Sequence, residues 1–258
     1  MENIISALIL AVIQGITEWL PISSSGHLVL FEKILNYQGS LEFDVALHFG
    51  TLMAVFVYFG KDIIDIIKDF FSFKFKTENG KTGVLLIVAT IPAALVGYFL
   101  KDYIELTFNN LIVTAIGFAI TGIVLLIASL DLKQKKRNAS YFDSFLIGCA
   151  QAISIIPGIS RSGSTMSTGI ILGLNQKTAA RFAFLMAIPI ILGANILSIG
   201  NKTIPTELFW ATLISFMIGL ASIHILYKFV LNAKKNLRYF SAYALILSAG
   251  IIIFFLIN

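Results

Sequence analysis

The sequence predicts an all-α polytopic membrane protein, with six transmembrane helices and two re-entrant helical hairpins arranged as an inverted-topology repeat. Three observations lead there. Hydrophobic residues fill 57% of the 258 positions and charged residues only 13%, about half the quarter usual in a soluble domain. Apolar runs near the twenty residues needed to cross a bilayer recur along the chain. Two polar stretches, 21–27 and 157–168, interrupt those runs, and a shift of 137 residues superposes them: Ile22-Ser23-Ser24-Ser25-Gly26 falls on Ile159-Ser160-Arg161-Ser162-Gly163, and Gln14 on Gln151.

Residues 4–20 read as a helix, and a short apolar run, 28–35, follows Pro21-Ile22-Ser23-Ser24-Ser25-Gly26-His27. At about 1.5 Å per residue such a short arm reaches half of a roughly 30 Å hydrocarbon core, so the two arms are expected to fold back as a hairpin with a polar tip at depth. The competing topology makes residues 2–20 a true span and puts the N-terminus inside. Spans are expected at 44–60, 81–100 and 108–130. Residues 142–156 and 163–173 form the second hairpin, and spans at 175–199, 206–230 and 239–257 follow it. The whole chain, 1–258, is then one membrane domain, with repeat one at about 1–130 and repeat two at about 141–258.

Three crossings per half is an odd number, so the second half enters the bilayer from the opposite side. Loop charge agrees with this. Lys61, Lys68, Lys74, Lys76 and Lys81 fall in one connection, Lys133, Lys135, Lys136 and Arg137 in another, and Lys228, Lys234, Lys235 and Arg238 in a third; the connections between them hold only Lys101 and Lys202. The positive-inside rule makes the three basic loops cytoplasmic and puts both termini and the mouth of the first hairpin outside. The net charge of +5 reflects this distribution, and a nucleic-acid partner is not expected. Cys149 is the only cysteine, so no disulfide forms within one chain. Met1-Glu2-Asn3 lacks the basic start of a signal peptide, and residues 1–20 are expected to remain in the mature protein. No Walker loop, dinucleotide fingerprint or zinc spacing occurs.

The second polar stretch places one guanidinium, six hydroxyls and two glycines between apolar segments. Pro157 stops the helix before it, Gly158 and Gly163 let backbone turn or approach closely, and the hydroxyls cap the helix that begins near Gly163. The open N–H groups of that helix, together with Arg161, Ser160, Ser162, Ser164 and Thr165, make a site for a tetrahedral oxyanion such as phosphate. The plainer alternative is a turn whose Ser and Arg satisfy backbone. In the first stretch, Gln14 and Glu18 are four apart and share a helix face. An intramembrane carboxylate is functional by default; Glu18 is a candidate base, cation ligand or partner of Arg161, and Gln14 a cation ligand or a helix–helix hydrogen bond. Ser23, Ser24, Ser25, Gly26 and His27 are either a nucleophile with its general base or a helix cap. Spacing alone does not choose between them. His48 and His224 are expected to pack, and Lys177 and Arg181 to snorkel to the interface.

Gln14-Gly15-Ile16-Thr17-Glu18-Trp19-Leu20-Pro21-Ile22-Ser23-Ser24-Ser25-Gly26-His27 and Pro157-Gly158-Ile159-Ser160-Arg161-Ser162-Gly163-Ser164-Thr165 resemble the two signature motifs of the bacterial undecaprenyl-diphosphate phosphatase family, also called bacitracin-resistance proteins. Length, hydropathy and motif order resemble that family across essentially the whole chain. The resemblance implies hydrolysis of undecaprenyl diphosphate to undecaprenyl phosphate and inorganic phosphate, which recycles the lipid carrier of cell-wall synthesis. It implies a multi-pass protein of the bacterial inner membrane, with an active site open to the extracytoplasmic side, a polyprenyl diphosphate substrate among membrane lipids, and a divalent cation, Mg²⁺ or Ca²⁺. A homodimer is compatible with it. Catalytic roles fall on Glu18, Ser24, His27 and Arg161, phosphate binding on Ser23, Ser25, Gly26, Ser160, Ser162, Gly163, Ser164 and Thr165, and the cation on Gln14 and Glu18. The family writes Glu or Gln at the first of those two positions, so with Gln14 no carboxylate pair is available here. Attack is expected either from Ser24 with His27 as proton acceptor or from a water activated by His27 or Glu18. The reading from another class is a secondary transporter or lipid flippase, because inverted repeats with broken helices also build carriers.

Overall fold

The computed structural model describes residues 2–37, 39–108, 110–130, 138–199 and 206–257, and among them every regular element is a helix. The α-helices in chain order are α1 (Glu2–Thr17), α2 (Ser24–Ile34), α3 (Leu41–Tyr58), α4 (Gly60–Phe71), α5 (Glu78–Phe99), α6 (Lys101–Phe108), α7 (Leu111–Ser129), α8 (Tyr141–Ile153), α9 (Arg161–Ile171), α10 (Gln176–Ile199), α11 (Thr206–Ile225) and α12 (Leu237–Ile257), with a short π-helical turn (Leu226–Val230) and a 3-10 turn (Lys234–Asn236) between the last two. Five of them, α5, α7, α10, α11 and α12, contain runs long and apolar enough to cross a membrane, and α3 makes a sixth only when joined to α4 across an 81° bend. The protein is therefore a multi-pass membrane protein with five to six apolar spans.

Two connections differ from the sequence reading. Residues 61–81, expected as a basic loop, contain α4. Its charged residues Lys61, Asp62, Asp65, Lys68 and Asp69 share one side, and the apolar Ile64, Ile67 and Phe71 are exposed. Those five charges cannot continue the path of α3 through hydrocarbon, so the helix breaks at Phe59 and Gly60 and turns; an exposed apolar stripe beneath a charged one suits the plane of a membrane interface. The connection at 101–107 is likewise helical, as α6. The expected basic loop with Lys133, Lys135, Lys136 and Arg137, and the connection with Lys202, lie outside the described residues. Arg181 does more than snorkel: its Nε donates to Asp62 Oδ2 at 2.7 Å, tying α10 to α4.

The local reasons for the two short helices are the same in both halves. Ser23 caps α2 by accepting from the Gly26 N–H at 3.3 Å, and Ser160 caps α9 by accepting from the Gly163 N–H at 3.0 Å. Each cap satisfies one N–H that the first helical turn leaves open. Both helices run for 11 residues, about 16 Å, far short of a crossing.

The tips of the α1–α2 and α8–α9 pairs pack against each other, and the contact is reciprocal under the 137-residue shift. A Cβ on Gly26 would lie 2.8 Å from Gly158 Cα, and one on Gly163 would lie 3.3 Å from Pro21 Cβ. Pro21 and Gly158 are themselves mates under that shift, so the two contacts are the same contact made twice. Ser162 Oγ adds a bond to Leu20 O at 3.0 Å, and Thr121 of α7 holds the second tip by donating to Gly158 O at 2.9 Å and accepting from Ser160 N at 2.8 Å. Gly158 has φ +89, and a Cβ there would meet Thr114 O at 2.1 Å. Gly158→Ala is accordingly expected to destabilise by about 3 kcal/mol or more, from a left-handed backbone plus an overlap that α7 cannot relieve. Thermal unfolding in detergent checks this against Gly193→Ala, where nothing lies within 4 Å and little change is expected.

Candidate active site

Ser24 and Arg161 are the first residues of α2 and α9 and occupy equivalent positions of the two repeats. Both reach the same carboxylate. Ser24 Oγ donates to Glu18 Oε2 at 2.5 Å, and Arg161 Nη2 donates to Glu18 Oε1. Gln14, one turn earlier on α1 and on the face it was expected to share with Glu18, donates Nε2 to Glu18 Oε2 at 2.9 Å. The Glu18 side chain is 2% exposed. A carboxylate in that position carries a desolvation cost of several kcal/mol, which the guanidinium, hydroxyl and amide together offset. Arg161 also lies over the face of Trp19, with Cζ 5.4 Å from the ring centroid, and Trp19 is fully buried edge-on to Phe184.

A cavity of about 630 Å³ opens on this pair. Glu18, Ser23, Ser24, Ser25, His48, Ser160, Arg161 and Ser162 contribute polar lining, while Val29, Ile155, Ile159, Ile190 and Ile191 contribute apolar lining. Arg161 Nη1 has no hydrogen-bond partner among the described residues, so half of the guanidinium fork remains available. The N-termini of α2 and α9 bring further backbone N–H groups to the same place. The arrangement joins an anion site to a greasy wall.

Not all the expected residues face this cavity. Gly26, Gly163, Ser164 and Thr165 are buried behind it, and Thr165 Oγ1 donates to Arg161 O at 2.7 Å within its own helix. Gly26 belongs to the helix start that presents Ser24, and Gly163, Ser164 and Thr165 to the one that presents Arg161. His27 is also turned away: its Nδ1–H donates to Ser23 O at 2.6 Å, its Nε2 lies 2.7 Å from Tyr243 Oη, and its ring stacks on Tyr243 and meets Phe118 edge-on. The carbonyl can only accept, so Nδ1 carries the proton and Nε2 accepts from the tyrosine. Ser23 has φ 68, a left-handed conformation for a serine, and the bond from His27 is one of the contacts that hold it there.

The sequence reading missed several residues at the cavity, Glu32 and Asp44 among them. His48, expected to pack, places Nε2 3.6 Å from Glu18 Oε2, with its Nδ1 at 2.8 Å from Asp44 O. Its signal was an ionisable side chain in mid-span, which is rarely idle. Gln151 and Asn195 also border the cavity, and Gln151 had been aligned with Gln14 without being assigned a role.

The donor set does not fit a resident cation on Gln14 and Glu18. Both Glu18 oxygens are engaged, Gln14 does not border the cavity, and among the described residues no three His, Cys, Asp or Glu side chains converge as metal ligands.

Comparison with known proteins places this geometry in context. A family model described as bacitracin resistance protein BacA matches residues 7–250. The chain is 42% identical over 263 residues to an undecaprenyl-diphosphatase of Caldicellulosiruptor bescii, covering 98% of this chain and 97% of that one. It is 40% identical over 268 residues to undecaprenyl-diphosphatase 1 of Pseudoalteromonas translucida, covering 98% of each, and 37% identical over 257 residues to an undecaprenyl-diphosphatase of Methanococcus vannielii, covering 98% and 100%.

Proposed function

This chain belongs to the bacitracin resistance protein BacA family, and from that premise we propose how its residues act as an undecaprenyl-diphosphatase, releasing inorganic phosphate and leaving undecaprenyl phosphate. One observation carries the reading: Ser24 and Arg161, at matching helix starts, meet on the buried Glu18 at the edge of a cavity with both polar and apolar lining. The diphosphate head takes the polar side and the first part of the lipid follows the apolar one.

The terminal phosphoryl group carries charge that must be neutralised before a nucleophile can approach. Arg161 Nη1 and the N–H groups at the starts of α2 and α9 do this. Ser24 Oγ then attacks the terminal phosphorus, its proton passing to the Glu18 oxygen that already accepts its hydrogen bond. The bond from phosphorus to the bridging oxygen breaks, undecaprenyl phosphate departs with the electron pair, and water later cleaves the phosphoserine. His27 lies three residues from Ser24 but does not touch it; a proton route through His27 needs its ring to leave Ser23 and Tyr243. Its role in this reading is to position the seryl turn. No step above passes through a metal ion.

The topology belongs to the same proposal. The span of α3 and those of α5, α7, α10, α11 and α12 make six crossings, the α1–α2 and α8–α9 pairs are re-entrant hairpins, and residues of about 1–130 and 141–258 form inverted repeats of a single domain. The short second arms and the reciprocal tip contact support this. The basic connections lie in the cytoplasm of a bacterial cell, and the cavity opens on the outer side of the inner membrane.

Purified protein given undecaprenyl diphosphate in detergent is expected to release phosphate, and Ser24→Ala to cut that release by about a thousandfold or more while the protein stays folded, with an unfolding temperature lowered only by the loss of one donor to Glu18. Turnover within tenfold of wild type in Ser24→Ala would move the nucleophile to water. Lipid crossing vesicles without phosphate release would show a carrier instead.

A further inference from the structure

Gln151, in the last turn of α8, is 1% exposed and borders the cavity, yet neither its Oε1 nor its Nε2 has a hydrogen-bond partner among the described residues. Both atoms are unpartnered, so exchanging the amide oxygen and nitrogen leaves the observation unchanged. Buried amides are rarely left in this state, because each unsatisfied group carries its full desolvation cost. The other repeat shows the amide with a partner: Gln14 gives Nε2 to Glu18, four residues on, at 2.9 Å. In the second repeat the residue four on is Ile155, which also borders the cavity and cannot accept. Replacing a carboxylate by isoleucine leaves the Gln151 amide for something in the hollow.

The surroundings indicate what that is. Arg161 Nη1 of α9 is a second side-chain donor on this cavity without a partner among the described residues, and Asn195 of α10, 4% exposed, has an Oδ1 without one while its Nδ2 donates to Ile191 O at 2.8 Å. Glu32 of α2 and Asp44 of α3 border the same cavity, each with an unpartnered carboxylate oxygen. An anion in the hollow is accordingly held at the starts of α2 and α9 and on the α8 side, away from these carboxyl groups further along α2 and at the start of α3. We infer that Gln151 is a binding residue for the diphosphate head, its Nε2 donating to a phosphoryl oxygen beside the one held by Arg161 Nη1. This rests on the diphosphatase reading above for the identity of the head, and on the orphaned amide for the site. A neutral amide orients the head without adding positive charge that would also retain the product phosphate.

The test is Gln151→Leu in the full-length purified protein, with Gln151→Met as a second apolar replacement if the leucine variant folds poorly. Removing an unsatisfied amide leaves the melting temperature of the ligand-free protein equal or higher, while kcat/KM for undecaprenyl diphosphate falls about ten- to a hundredfold, mainly through KM. Inorganic diphosphate supplies a readout independent of turnover: it is expected to raise the melting temperature of the wild type and to do so much less for the variant. A lowered melting temperature with unchanged kcat/KM would give the amide a structural partner and overturn the inference. An unchanged KM together with an undiminished diphosphate shift would overturn it as well. If wild type released no phosphate but diphosphate stabilised it in a Gln151-dependent way, the diphosphatase reading would fail and Gln151 would stand as an anion ligand.

Discussion

Arg161→Lys is expected to lower kcat/KM for undecaprenyl diphosphate by roughly a hundred- to a thousandfold with the protein still folded. The guanidinium does two things at once: Nη2 closes the bond to Glu18, and Nη1, without a partner among the described residues, is available to a phosphoryl oxygen. A lysine ammonium is a single point on a flexible stem, and can serve either the carboxylate or the phosphate from a given position. It also gives up the guanidinium's place over the Trp19 ring. Because the charge is kept, Glu18 retains a counter-ion and the unfolding temperature should move little. Steady-state phosphate release with a parallel melting curve decides the matter. Turnover at the wild-type level in Arg161→Lys would remove Arg161 from the phosphate site.

Glu18→Gln is expected to reduce turnover by about a thousandfold and, unlike the arginine change, to lower stability by about 3 kcal/mol. A carboxylate accepts on both oxygens, here from Arg161 on one side and from Ser24 and Gln14 on the other. An amide turned with its oxygen to Arg161 can give its N–H to the Ser24 hydroxyl, so what the variant loses is the charge rather than the bonds. Arg161 is left as a largely buried cation without its counter-ion, and Ser24 loses the group that takes its proton. The same variant tests the divalent cation implied by the family resemblance. If Mg²⁺ or Ca²⁺ acts at Glu18 in the presence of substrate, the response to added metal weakens along with the rate. A metal response equal to that of wild type would assign the cation elsewhere.

Much of this site was legible in the chain because its signals are local. The serine caps, the prolines and glycines around them, and the short second arms are properties of a few consecutive residues, and they recur at a shift of 137. The pairing of Glu18 with Arg161 was one of three roles left open for Glu18, and the structure shows that ion pair. His27 and His48 were less legible. His27 adjoins the seryl loop in sequence, but it faces Tyr243, 216 residues away, because the rotation of α2 is set by packing against α7 and α12. His48 sits one turn past Asp44 in an apolar stretch whose pattern marks no particular inward face. The helix α4 was hidden for a different reason: its charges drew attention to a loop, while its apolar residues at helical spacing carried the better signal.

The sequence by itself determined that the chain is helical and apolar enough to cross a membrane several times, where its polar interruptions fall, and that the two halves repeat a capped helix start. These follow from composition, hydropathy and capping, each of which acts within a turn or a run of one helix. Only the tertiary structure decided that Ser24 and Arg161 share one carboxylate, that His48 rather than His27 borders the cavity, and that Gln151 is left without the partner Gln14 enjoys. A helix turns about 100° per residue, so a modest roll carries a side chain from hollow to core, and that roll is set by contacts from the far ends of the chain.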